Sequence, residues 1–195
     1  MWDKRYDTGE YIYGKRENDF LAFCVNRFPR GEILSLCEGE GRNAVYLARK
    51  GYSVTAVDGS QVGLEKAHRL AAEHGVSIKT IVADLGDYRI KPGKWQGIIA
   101  FFCHLPVSLR RKVHRDCVAG LAPGGILVLE SFTPAQLQFG TGGPRDLQKL
   151  LSLEEAKGEL KGLKFLIAQE IKRPIDEGDL HRGMAAVVQI LAVKA

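Results

Sequence analysis

Ile33-Leu34-Ser35-Leu36-Cys37-Glu38-Gly39-Glu40-Gly41-Arg42-Asn43-Ala44-Val45-Tyr46-Leu47-Ala48 reads as an apolar strand, a glycine-rich turn and the start of a helix. Glycines in such a turn let a ligand approach the backbone, and the N–H groups of the helix start point at it. The spacing Gly39-x-Gly41-x-x-Ala44 also fits a dinucleotide fingerprint, so the glycines alone leave the ligand open. Glu38 and Glu40 narrow the choice. Two carboxylates would repel the pyrophosphate of a dinucleotide, whereas a ligand carrying positive charge would be drawn to them. Acids near a helix start also offset its dipole, worth about 0.3–1 kcal/mol each. That plainer role suits Glu40 better than Glu38.

Outward from this turn, strand-like runs recur at Ile33 to Leu36, Val54 to Val57, Ile78 to Ala83, Ile98 to Phe102 and Ile126 to Leu129. Helical patterns from Asn43 to Lys50 and from Gln61 to His74 separate the first three, each stopped by a glycine, Gly51 or Gly75. Strand–helix alternation of this kind means a parallel sheet with right-handed crossovers. The end of the chain differs: Leu163 to Ile171 and Ala185 to Val193 are joined only by a polar, glycine-containing loop and should pair as an antiparallel hairpin. Ser152 with Glu155 forms a capping box for the helix before it. Near the amino end, Asp19 is placed to cap a short helix carrying Leu21, Cys24 and Phe28, with Pro29 as its stop.

With 195 residues and 45% hydrophobic content, the expectation is one domain with a full core, residues 1–30 forming an arm and helix and 31–195 the sheet. Met1 to Arg5 carry charge without an apolar run, and no stretch approaches the roughly 20 apolar residues of a membrane span. A soluble, cytoplasmic protein is expected. Cys24, Cys37, Cys103 and Cys117 are widely spaced, which favours reduced, mostly buried thiols over a zinc site. The net charge of +5 is spread along the chain. Its densest group, Arg110, Arg111, Lys112, His114 and Arg115, surrounds an apolar stripe of Leu109, Val113, Cys117 and Leu121, the pattern of a solvated helix face rather than a nucleic-acid groove.

Strand ends supply further candidates, because ligands gather at the carboxyl edge of such sheets. Asp58 ends the second strand 17 positions after Gly41, near the roughly 20 at which an acid meets ribose hydroxyls. Gly59 and Ser60 follow it. Asp84 and Leu85 close the third strand, where the carboxylate can accept from an adenine amino group or cap a loop, and Phe101 closes the fourth. His104, in Phe101-Phe102-Cys103-His104-Leu105-Pro106, stands where a base would be useful, though a loop histidine without such duty reads the same way. Glu130, Ser131 and Phe132 end the fifth strand, and Gln138 to Pro144 forms a flexible loop that could act as a lid.

Taken together, the strand–glycine turn, the two strand-end acids, Leu121-Ala122-Pro123-Gly124-Gly125 and the terminal hairpin resemble the class I S-adenosylmethionine-dependent methyltransferases along nearly the whole chain. The segment Cys37 to Ala48 is similar to the G-x-G-R-N-x-x-x-L-A turn of the tellurite-resistance and thiopurine methyltransferase-like proteins. Trp2-Asp3-Lys4-Arg5-Tyr6 and Tyr11-Ile12-Tyr13-Gly14 resemble the opening segment of that group, which folds over cofactor and substrate. Two departures concern the methionine end: the usual early acid is Ser35, and the usual glycine and cysteine before Gly39 are Cys37 and Glu38.

The resemblance implies a Rossmann-like fold with helices on both faces and S-adenosyl-L-methionine held by Tyr13, Glu38, Gly39, Gly41, Arg42, Asn43, Asp58, Gly59, Ser60, Asp84, Leu85 and Phe101. It also implies that Asp179-Leu180-His181-Arg182 lies beside the transferred methyl group, making His104, His181 and Arg182 the catalytic candidates, with no metal. Arg182 and Arg145 are candidates to orient an anionic substrate, though an exposed loop arginine is more often a solvated surface group. The expected partner is a small-molecule methyl acceptor: a thiol, a thiopurine-like heterocycle or a chalcogen oxyanion. Nucleic-acid or protein methylation, and cofactor binding without catalysis, are the alternatives. A nicotinamide oxidoreductase is the fold-level rival. No membrane or nucleic-acid partner is expected, and the chain is expected to be a monomer or homodimer.

Overall fold

Alternation of side chains along each strand sets the architecture. In β1 (Glu32–Leu36), Ile33 faces one side of the sheet and Leu34 and Leu36 the other, and all three are essentially fully buried. The computed structural model describes residues 2–195; Met1 lies outside them. β1 pairs in parallel with β2 (Ser53–Asp58) on one side and with β4 (Trp95–Phe101) on the other. β3 (Lys79–Val82), β5 (Leu121–Phe132), β6 (Leu163–Asp176) and β7 (Arg182–Lys194) complete a seven-stranded sheet in the order β3-β2-β1-β4-β5-β7-β6. β7 runs antiparallel to both β5 and β6. The expected mixed Rossmann-like sheet is therefore present, with β4 beginning at Trp95 and β5 at Leu121, earlier than the apolar runs indicate.

One face is covered by α2 (Asp19–Cys24), α3 (Arg42–Arg49) and α4 (Gln61–Glu73), whose Leu21, Leu47, Leu64 and Leu70 pack with Ile33, Val54 and Ile99. The other is covered by α5 (Val107–Gly120) and α6 (Leu153–Glu159), whose Val113, Cys117 and Ala156 meet Leu34, Val57 and Ile98. Each fully buried leucine or isoleucine contributes about 1.5–3 kcal/mol. Ser152 and Glu155 form the capping box of α6.

Two local readings are corrected. The cap of α2 is Asn18, whose Oδ1 accepts from Phe20 N at 2.8 Å and Leu21 N at 3.1 Å, and a 3-10 turn at Val25–Arg27 separates the helix from Pro29. The basic face of α5 is not wholly solvated: Arg110 and His114 are buried. Arg110 donates to Glu155 at 3.0 Å, to Glu159 at 2.9 Å and to the Leu150 carbonyl at 2.7 Å, and His114 Nδ1 lies 2.7 Å from Glu159. Among the described residues no helix is long and apolar enough to cross a membrane.

Candidate active site

The chain turns opposite ways from β1 and β4, and a crevice opens at their carboxyl ends, where open α/β sheets bind ligands. A cavity of about 390 Å³ sits there, within the roughly 300–1,000 Å³ common for ligand pockets. Its lining brings together Cys37, Glu38, Asp58 and Asp84 with Leu85, Phe101, Phe102, Tyr6, Tyr13, His104 and His181.

The turn requires its glycines. Gly41 has φ +97°, and a Cβ there would stand 2.7 Å from Ala67 Cα on α4; one on Gly39 (φ +63°) would meet the Tyr6 hydroxyl at 2.6 Å. Asp58 ties the turn to the next loop: Oδ2 accepts from Gly39 N at 2.9 Å and Oδ1 from Ser60 N at 2.8 Å. Each carboxylate oxygen keeps a second acceptor site for a ligand. Burial raises the Asp58 pKa against these bonds.

The two glutamates exchange the weights that the sequence suggests. Glu38 is the one that meets the helix start: Oε1 accepts from Asn43 N at 3.0 Å and Ala44 N at 2.9 Å, and Oε2 accepts from the Ser35 hydroxyl. Burial pushes its pKa up to about 7 despite these donors. Ser35, standing where an acid is usual, thus hands the carboxylate position to Glu38. Glu40 is instead paired with Lys66, both only 2% exposed, and accepts from Tyr13 N at 3.3 Å. Lys66 also donates to the carbonyls of Tyr6, Thr8 and Glu10, which fastens the amino-terminal arm over the cavity. The arm begins with α1 (Trp2–Tyr6), and Trp2, Tyr6, Tyr13 and Gly14 line the cavity.

Arg42 is 8% exposed and is among the residues that line the cavity; its Nη2 binds Glu177 at 2.7 Å, while Nη1 is buried without a partner. Glu177 is a residue that sequence reading misses. It also receives Asn18 Nδ2 at 2.8 Å and Arg173 Nη2 at 3.1 Å, and lies 3.8 Å from His181 Nδ1. Burial works against its charge, but Arg42, His181 and Arg173 outweigh it and hold the carboxyl far below the usual range. Glu130 joins the same network through Arg173 Nη2 at 2.6 Å, Asn18 Nδ2 at 2.8 Å and Gln189 Nε2 at 2.5 Å, so it braces the sheet end rather than facing the cavity.

The side of the cavity around His181 is aromatic. His181 lies against Tyr13, Phe102 and Phe132 with ring centroids 4.6, 4.8 and 5.2 Å away, and His104 stacks on Phe132 at 5.6 Å. Both His104 ring nitrogens are shielded and unpartnered. Burial, and then His181, push the His104 pKa down to about 3. Burial also lowers that of His181, with Glu177 pulling the other way. The 138–144 loop packs behind this wall: a Cβ on Gly142 would stand 2.4 Å from the Leu180 carbonyl.

Of the residues singled out from sequence, Tyr13, Glu38, Arg42, Asn43, Asp58, Gly59, Asp84, Leu85, Phe101, His104 and His181 line the cavity. Gly39 and Gly41 shape the turn behind it, and Ser60 caps α4. Asp84 stands two residues beyond β3 and also accepts from Gly86 N at 2.7 Å, so the cavity and loop-cap readings both apply. Arg182 is not brought to the cavity; it is exposed and pairs with Asp176 at 3.0 Å. Arg145 is exposed as well. The expectation of four reduced thiols is corrected: Cys37 and Cys103 form a disulfide, while Cys24 and Cys117 are free and buried.

Comparison with known proteins agrees with the fold. Residues 33–125 match the family described as Methyltransferase domain. The chain is 29% identical over 139 residues to the 2-heptyl-1-hydroxyquinolin-4(1H)-one methyltransferase of Mycobacteroides abscessus, covering 70% of this chain and 61% of that protein. It therefore spans less than two thirds of that relative. TehB from Haemophilus influenzae superposes with a TM-score of 0.75 at 20% identity, over 100% of this chain and 66% of its own. An S-adenosylmethionine-dependent methyltransferase from Clostridium acetobutylicum gives 0.69 at 16% identity, over 98% and 95%. At these identities the structural matches speak for the fold.

Proposed function

We propose that this chain, which carries a methyltransferase domain of the class I S-adenosylmethionine-dependent type, methylates a small planar acceptor bearing an ionisable oxygen or sulfur. The observation that carries this reading is one cavity lined by the carboxylates of Glu38, Asp58 and Asp84 together with aromatic and imidazole side chains. The residues fit the cofactor. The partnerless Nη1 of Arg42 suits the methionine carboxylate, Glu38 the ammonium, the free acceptor sites of Asp58 the ribose hydroxyls, and Asp84 with Leu85 the adenine. A dinucleotide pyrophosphate would instead meet Glu38 and Asp58.

When bound, S-adenosylmethionine supplies a methyl group on a positively charged sulfur, open to in-line attack. The chain's part is to position the acceptor, exclude water and take a proton. His104, held neutral by burial, is a poor proton sink and packs as part of the aromatic wall. His181 is the better base, because Glu177 beside Nδ1 stabilises the imidazolium and leaves Nε2 for the acceptor. The aromatic walls favour a heterocycle over a chalcogen oxyanion, since Arg42, a buried cation of the lining, is already paired with Glu177. The relative's hydroxyquinolinone is of that heterocyclic kind.

The test is methyl transfer to a panel of hydroxyheteroarenes, heteroaryl thiols, aliphatic thiols and tellurite, with products read by mass spectrometry. Methylated heteroarenes are expected. Transfer to tellurite alone would overturn the acceptor class. His181→Asn should lower kcat by about 100-fold or more with S-adenosylhomocysteine affinity nearly unchanged; an unchanged kcat would remove His181 from the chemistry.

A further inference from the structure

Cys37 and Cys103 differ from the other two cysteines in place and in surroundings. Cys24 and Cys117 are sealed in the core, where burial pushes the Cys24 thiol up to about 12 and the Cys117 thiol higher still, so neither ionises readily. Cys37 and Cys103 are half-buried, and Cys37 lines the cavity, within reach of small molecules. Their Cα atoms are 5.5 Å apart across 66 residues of chain, within the usual disulfide span.

The backbone around the pair is unusual as well. Cys37 has φ +53° and Phe102, next to Cys103, has φ +51°; among the described residues these are the non-glycine ones with positive φ. Each such conformation costs about 1–3 kcal/mol and persists where the surroundings enforce it.

We infer that Cys37 and Cys103 are a reversible redox site, whose disulfide ties the cofactor turn to the loop bearing His104 and so preorganises the cavity. Closing the bond removes both S–H protons and two electrons. A low-molecular-weight disulfide takes them by thiol–disulfide exchange and leaves as two thiols. Fixing two loops in their binding arrangement reduces the ordering that a ligand must impose. The bond itself is independent of the function proposed above; its effect on affinity rests on that reading.

The experiment equilibrates the protein in oxidised or reduced glutathione, traps free thiols with iodoacetamide, maps the peptides, and titrates each form with S-adenosylhomocysteine. A Cys37–Cys103 cross-link that opens in the reducing buffer is expected, with affinity roughly three- to tenfold tighter in the bonded form. Cys103→Ser and Cys37→Gly, either of which suffices if the other fails to fold, should bind equally in both buffers. Alkylation of both cysteines under oxidising conditions overturns the site. Equal or weaker affinity of the bonded form, or a redox response that persists in the variants, overturns the coupling. Absence of binding in both forms refutes the cofactor reading, and with it the coupling, while the peptide map still decides the bond.

Discussion

Among the described residues, Glu38, Asp58 and Asp84 are the carboxylates of the cavity lining left without an ion-pair partner, because Glu40 is neutralised by Lys66 and Arg42 by Glu177. Asp58→Ala should weaken S-adenosylhomocysteine binding by about 1.5–3 kcal/mol, the range for bonds lost to a charged group; calorimetry showing unchanged affinity in a folded variant would contradict the ribose role. Glu38 makes the cofactor site sensitive to pH. Its folded pKa, about 7, lies above the ordinary 4.5. Its contribution to stability is therefore present below pH 4.5 and lost as pH rises through 7. A ligand ammonium favours the ionised form, so affinity should rise between pH 6 and 8, and Glu38→Gln should flatten that rise. A wild-type affinity that is flat over this range would contradict the assignment. Spacing and charge made Asp58 legible in the sequence. The exchange of roles between Glu38 and Glu40 was not, because it depends on Ser35 and Lys66, whose side chains meet the turn only in the fold.

At the scale of elements, α5 shows what periodicity can and cannot tell. The apolar stripe at every fourth residue places the helix, but Arg110 and His114 share that spacing one position along, and their partner Glu159 lies 49 residues from Arg110 on α6. Burial opposes the Glu159 charge, yet His114 and Arg110 bring its pKa down to about 2. That contribution is present above pH 4.5 and lost as pH falls through 2. Arg110→Ala should destabilise the protein by about 3 kcal/mol, since it takes the guanidinium away from the buried Glu159 carboxylate and leaves His114 as its near partner. Urea unfolding would measure this, and a change within about 0.5 kcal/mol, as for a solvated surface residue, would contradict it. The cap of α2 has a similar lesson: Asn18 and Asp19 both suit a helix start, and Asn18 is chosen because its amide also reaches Glu130 and Glu177.

At the scale of the whole molecule, the parallel part of the sheet follows from alternation of apolar runs with helices, and the antiparallel β6–β7 pair from the short polar connection between two apolar runs. These are local signals, and they were legible. The buried polar network that joins Asn18, Arg42, Glu130, Arg173 and Glu177 spans separations of 112 to 159 residues from Asn18 alone, which no local pattern records. It fastens the arm, the cofactor turn and the terminal hairpin around one cavity, and so places the proposed base beside the proposed cofactor. The central claim is that this cavity takes an adenosyl sulfonium rather than a dinucleotide. Calorimetric titration with S-adenosylmethionine, S-adenosylhomocysteine and NADH in one buffer tests it most directly. Saturable one-to-one binding of the two adenosyl ligands with no heat from NADH is the predicted result, and binding of NADH alone would contradict the account.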